Sequence, residues 1–210
     1  MTGAIYYARA NRWLTVMVLV VATGVAVYLF GYVNCTLNPL THVDTTMASL
    51  LPLAPAIAIQ TTLATGRLQA DDSAARIMSR WRVAHVLILS SMCVIALVLA
   101  AIPLTTAQSM APAAGIKQGA VTLARNTMAF TGAALAGSSV VAPRLAWVVP
   151  VTWVLVPPLL LTRSDSAEIL LLPLQPDAAF DAFVAALILF CVGTVVATRQ
   201  RVVRRWHRSD

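Results

Sequence analysis

The chain is expected to fold as an all-α membrane protein with six transmembrane helices and both termini on the cytoplasmic side. Three observations lead there. The 210 residues are 59% hydrophobic and 11% charged, with mean hydropathy +0.80, against about 25% charged in an average soluble domain. So little charge cannot cover a water-exposed surface, and the same numbers exclude a disordered chain. Apolar stretches also recur from Trp13 to Ala197, whereas a single span uses only about 20 residues. Runs such as Val16 to Val21 and Val94 to Ala101 do not alternate as barrel strands must. Finally, the basic residues fall in alternate gaps between the apolar stretches. Arg9 and Arg12, then Arg67, Arg76, Arg80 and Arg82, then Arg144, then Arg199, Arg201, Arg204, Arg205 and Arg208 make twelve of the fifteen. The positive-inside rule assigns all twelve to the cytoplasm.

The first span is Trp13 to Gly31. Arg9 and Arg12 precede it as in a signal peptide, but the core is long and no small-x-small cleavage site follows. Tyr32-Val33-Asn34-Cys35 also lacks the small residues of a lipoprotein site, so the run reads as an anchor. The second span is about Met47 to Thr65 and the third Ala84 to Ile102. Between them Asp71, Asp72 and Ser73 are suitable helix caps. After the caps, Ala74, Ile77, Met78 and Trp81 share one face of a short amphipathic helix and Arg76 and Arg80 another. That helix either lies on the membrane surface with its arginines at the headgroups or docks in a groove of a cytoplasmic partner. The second alternative admits a non-transporting scaffold or regulator as well as a transporter.

The fourth span is Val121 to Val141. It opens with Arg125, Asn126 and Thr127 and continues with Thr131, Ser138 and Ser139. Arg125 is the expensive one, and about one turn from a boundary it can snorkel outward or face a substrate path. Gly132 with Ala136, and Ala133 with Gly137, are small-xxx-small pairs that predict a close helix contact, within one subunit or between two. The fifth span, Leu145 to Leu161, holds Pro150, Pro157 and Pro158, which are expected to kink or break it. The connection Thr162 to Ala179 carries Asp165, Glu168 and Asp177 around the apolar Ile169 to Leu174. Six residues cannot cross a bilayer, so this reads as a re-entrant or interfacial outer segment that either dips into lipid or guards a path. The sixth span, Phe180 to Ala197, leads into a basic cytoplasmic tail over 198–210. Topology and attraction to anionic lipid account for the net charge of +7 without a nucleic-acid partner.

Catalytic patterns are thin. Ala136-Gly137-Ser138-Ser139 is faintly similar to an intramembrane serine protease motif, but no histidine follows in a later span. Asp72-Ser73-Ala74-Ala75-Arg76 is similar to part of a phospholipid-synthase motif without its further aspartates. Cys35, Cys93 and Cys191 are far apart, so neither a disulfide framework nor a metal site is expected. No phosphate-binding glycine-rich loop with a lysine is present, so energy for any transport must come from another chain.

Six spans, cytoplasmic ends, a basic amphipathic helix after the second span and a partly apolar outer loop before the sixth together resemble the permease subunits of type-2 ATP-binding-cassette (ABC) exporters. Leu68 to Leu89, LQADDSAARIMSRWRVAHVLIL, resembles the family's coupling-helix segment. Arg125 to Trp153, RNTMAFTGAALAGSSVVAPRLAWVVPVTW, resembles the fourth and fifth spans of small actinobacterial members. Where the family commonly has Glu-x-x-Gly-Thr and Ser-Arg-Pro-x-Ser-Arg, this chain has Asp71-Asp72-Ser73 and Ser79-Arg80-Trp81-Arg82. The resemblance implies a permease that is not itself an enzyme. Asp72, Arg76, Ile77, Arg80 and Trp81 would then contact an ATPase subunit, two copies of which hold ATP and Mg. Met1 to Arg12 would be a surface helix, and a second permease, identical or similar, would complete the transporter. Arg125, Asn126, Thr131, Gly132 and Gly137 are the candidates for a pathway or interface. The cargo implied is amphiphilic: a drug, an antimicrobial peptide or a lipid-like compound.

Overall fold

The computed structural model describes residues 13–31, 33–38, 43–66, 75–110, 119–142, 145–160, 172–174 and 179–206. These residues are mostly helical. Helix α1 is Trp13–Phe30; a hairpin of β1 (Asn34–Asn38) and β2 (Val43–Thr46) follows; then come α2 (Met47–Leu50), α3 (Leu53–Gly66), α4 (Ala75–Met110), α5 (Ala120–Val140), α6 (Val148–Leu160), a 3-10 turn at Leu172–Leu174 and α7 (Phe180–Trp206).

The six long helices alternate in direction. Trp13 meets His85, and Gly24 further along lies against Ala96 and Ala100, so α1 and α4 run the same way. Ser49, Ala56 and Leu63 meet Asn126, Phe130 and Leu135 in turn, which makes α3 parallel to α5. Ala129 packs with Ala182 and Ala186, and Leu135 with Phe190 and Ala197, so α7 joins that set. Gly137 meets Val149 while Phe130 meets Trp153, which sets α6 antiparallel to α5.

Three helical stretches are long and apolar enough to cross a bilayer: Trp13–Phe30, Arg82–Ile102 and Phe180–Thr198. Their outward faces expose large apolar side chains, among them Leu14, Val18, Ile95, Leu99, Leu187 and Ile188. A surface of this kind is stable only against lipid or other apolar matter, and it marks a membrane-associated protein. Helix α5 is the centre of the bundle, packed by α3, α4, α6 and α7. Its alanines, glycines and threonines let neighbours approach, and its polar groups are hidden behind helices that can face lipid.

Several elements differ from the sequence expectation. The chain is not purely helical: β1 and β2 pair antiparallel, with Asn34 opposite Thr46 and an irregularity between Thr36 and Asn38. The expected second span is divided by a turn at Leu51 and Pro52, because Pro52 has no N–H to continue the ladder. The short amphipathic helix and the third span are one 36-residue helix, α4. Neither Gly nor Pro occurs between Ala75 and Ile102, so nothing separates the two pieces. In α6 the prolines do not divide the helix. Pro150 sits in its first turn, where a missing donor costs little, and Pro157 and Pro158 lie within one turn of its end. The 1–12 surface helix, Asp72, the acidic stretch 161–171 and residues 207–210 lie outside the described residues.

Candidate functional site

Two polar clusters tie the bundle together, one toward each end of α5. The first is built on the second turn of that helix, where Arg125 and Asn126 are fully buried. The Arg125 Nε–H donates to Asn126 Oδ1 at 3.2 Å. The Asn126 amide nitrogen then donates twice, to the carbonyl of Ser49 at 2.9 Å and to that of Pro173 at 2.8 Å. Both carbonyls lie where a helical ladder runs out: Ser49 is in α2 just before the turn that splits it from α3, and Pro173 is in the 3-10 turn. The side-chain amide of Asn126 supplies a donor to each of these oxygens at the ends of short helical pieces. Ser49 also donates to the Thr46 carbonyl at 2.7 Å, and its hydroxyl meets that of Thr45 at 2.6 Å, linking the cluster to the hairpin. Leu172 packs on Ala129, Ala182 and Ala186, which draws the 3-10 turn in against α5 and α7.

The second cluster joins the start of α1, the end of α3 and the lower part of α4. Trp13 Nε1–H donates to His85 Nδ1 at 2.8 Å. Because indole is only a donor, Nδ1 must be the acceptor, so the imidazole proton sits on Nε2 and points at Thr62 Oγ1, 3.0 Å away. Thr62 passes its own proton to the Ile59 carbonyl at 2.7 Å. The rings of Trp13 and His85 are edge to face, 81° apart with centroids at 5.2 Å. Every proton in this chain has a direction. Replacing His85 with leucine strands the Trp13 donor, and an expected loss of about 1–3 kcal/mol follows. Chemical unfolding of His85→Leu, Trp13→Phe and the double variant checks it: the double variant is expected to lose clearly less than the sum of the singles.

The structure brings together some of the residues singled out from sequence and separates others. Arg76, Ile77, Arg80 and Trp81 occupy the first two turns of α4. Arg125, Asn126 and Thr131 are buried inside the bundle on α5. Gly132 and Gly137 make contacts within the chain: a Cβ on Gly132 would lie 2.6 Å from the Leu189 carbonyl oxygen of α7, and one on Gly137 2.7 Å from Val149 Cγ2 of α6. These close approaches are intramolecular. Sequence reasoning did not single out Gly193, which faces Gly132 backbone to backbone. The signal was present, since Gly193 and Ala197 have the same small-xxx-small spacing. Ser49 and Pro173 act through main-chain oxygens, and the cue for such oxygens is a proline close by, Pro52 three residues after Ser49 and Pro173 itself.

Among the described residues no three His, Cys, Asp or Glu side chains gather as a metal site. No protein-family model, characterised protein or solved structure matches the chain.

Proposed function

We propose that the chain is the membrane-spanning permease subunit of an ATP-driven exporter of the type-2 ABC class. In this reading it crosses the cytoplasmic membrane six times with both ends inside, pairs with a second permease, and works with two copies of a separate ATPase. The observation that carries the reading is the unbroken α4. Arg76 to Trp81 and the apolar stretch Arg82–Ile102 belong to one helix. A force applied at its first turns therefore reaches Leu89, Cys93 and Leu97, which pack on α1 and α5, without passing through a hinge. ATP-driven closure of the partner ATPases would tilt α4 as a lever, and alternating access of the bundle follows from that tilt. The long apolar faces and the few enclosed charges suit an amphiphilic cargo such as a drug, an antimicrobial peptide or a lipid-like compound.

The test is affinity purification of tagged protein from its native membrane in mild detergent, with partners identified by mass and ATPase turnover measured. A stoichiometric ATPase partner with vanadate-sensitive turnover is expected. Purification alone, or with a partner that does not hydrolyse ATP, overturns the reading in favour of a scaffold. Within the active complex, the Arg80→Ala, Trp81→Ala double variant is expected to insert normally and to lose most of its transport. Normal transport in that variant removes the first turns of α4 from the coupling path.

A further inference from the structure

The middle of the bundle holds two buried hydroxyls that behave unlike the others. Thr23, Thr62, Thr127, Ser138 and Thr194 each turn back and donate to a carbonyl three or four residues earlier in their own helix. Ser90 on α4 and Thr131 on α5 are equally buried, and Ser90 Oγ and Thr131 Oγ1 have no hydrogen-bond partner among the described residues. The carbonyls of Val86 and Thr127 offer each of them the same local solution, and neither takes it. An unmet hydroxyl in an apolar interior is costly, so two of them in one place call for an explanation.

They are in one place. Helices α4 and α5 run antiparallel, with Cys93 hydrogen-bonded to Thr127 at one level. Val86 and Leu135 share an apolar cluster at another. Ser90 is three residues from Cys93 and four from Val86; Thr131 is four from each of Thr127 and Leu135. Residues at that spacing share a helix face, so Ser90 and Thr131 stand opposite one another across the α4/α5 interface. Gln60 of α3 is buried within about a turn of the same level, between Ala56 and Leu63.

We infer that Ser90 and Thr131 form a binding site for the hydroxyl head of an uncharged amphiphile. A hydroxyl is the group that fits, because it can accept from one of the two and donate to the other. The rest of the ligand must be apolar, since the buried neighbours of the two hydroxyls along their own helices, Leu89 and Phe130, are apolar. A cation is disfavoured: Arg125 lies six residues along α5 and Arg82 eight residues back along α4, about 9 and 12 Å on either side. The site rests on the exporter reading only for its use as a cargo position; binding itself needs no ATPase.

The experiment uses the full-length protein in lipid nanodiscs without any partner, photolabelled with a diazirine-bearing octanol and mapped by peptide mass. Adducts are expected on 86–93 and 127–135, displaced by excess octanol and reduced about tenfold in the Ser90→Ala, Thr131→Val double variant. Ser90→Thr and Thr131→Ser keep both hydroxyls and are expected to keep the label. Adducts confined to outward residues such as Ile95 and Leu187 overturn the site. So does equal labelling in the double variant, which leaves a water as the partner of the two hydroxyls. Octanol competition on the unmodified protein holds the test open if the double variant fails to assemble. Labelling at the site together with no ATPase partner in the purification would leave the site standing and the exporter reading fallen.

Discussion

Gly193→Leu is expected to yield no monodisperse protein, and Gly193→Ala a protein weakened by about 1–3 kcal/mol. A Cβ at position 193 would run into the Gly132 carbonyl oxygen and lie 3.0 Å from the Gly132 Cα and carbonyl carbon. In the reverse direction a Cβ on Gly132 would come within 2.7 Å of the Phe190 Cα. Everything on the far side is backbone, so nothing can rotate out of the way. Either α5 and α7 separate, giving up the largest contact of the central helix, or the chain does not assemble. Gly24 supplies the control, since a Cβ there meets Ala100 Cβ at 3.8 Å and the Ala96 oxygen at 3.9 Å, ordinary contact distances. Gly24→Ala is expected to be neutral or to stabilise by up to about 1 kcal/mol through helix propensity. Size-exclusion profiles and unfolding in denaturing detergent, measured on all three, separate the crowded crossing from a general intolerance of larger residues.

Asn126→Asp is expected to be more damaging than its near-identical shape suggests. The amide nitrogen donates to two carbonyls at 2.8 and 2.9 Å, and a carboxylate offers lone pairs to both instead. Two buried carbonyls lose their donor and face an acceptor, a cost of about 1–3 kcal/mol for each unmet group. Asn126→Ala removes the donors without the repulsion and is expected to fall between the aspartate variant and the natural protein. Because the carbonyls belong to Ser49 and Pro173, the first loosening is expected in the segments around 46–53 and 172–174. Hydrogen exchange resolved by peptide checks this: faster exchange in those two segments ahead of the rest of the bundle is the expected pattern, and uniform acceleration would remove the clamp from the account.

The apolar runs locate the long helices within a few residues, because hydrophobic length is written directly in the sequence. The position of α5 was less legible. Hydropathy treats it as one more span, while its Arg125, Asn126 and Thr131 together with Gly132 and Gly137 say that it must be enclosed by others. The hairpin left little trace: Cys35, Thr36, Val43 and Thr45 are reasonable strand residues, but so short a pair in an apolar chain is set by packing more than by pattern. Partners of the Asn126 clamp are main-chain oxygens, which no side-chain spacing encodes. His85 and Thr62 are polar residues within apolar runs, yet their link to Trp13 crosses 72 residues of sequence to His85 and depends on α1 and α4 running together. The merging of the amphipathic segment with the third span follows from the absence of a breaker over 75–102, a negative cue that periodicity does not weigh.

The described part of helix α6 has 13 residues and rises about 20 Å, against a hydrocarbon thickness of about 30 Å. Its Leu155 and Val156 are exposed on the outside of the bundle, and Trp147 is exposed just before its start. In the six-span reading, a bilayer meeting so short an apolar wall would pinch toward it, drawing headgroups from the two leaflets closer together along that flank. The α1, α4 and α7 flanks, with stretches of 18, 21 and 19 residues, are long enough to impose no such deformation. In the proposed six-span exporter, the lipid collar would be thin beside α6, and that side would be where a molecule with one polar end has the shortest distance to travel between leaflets.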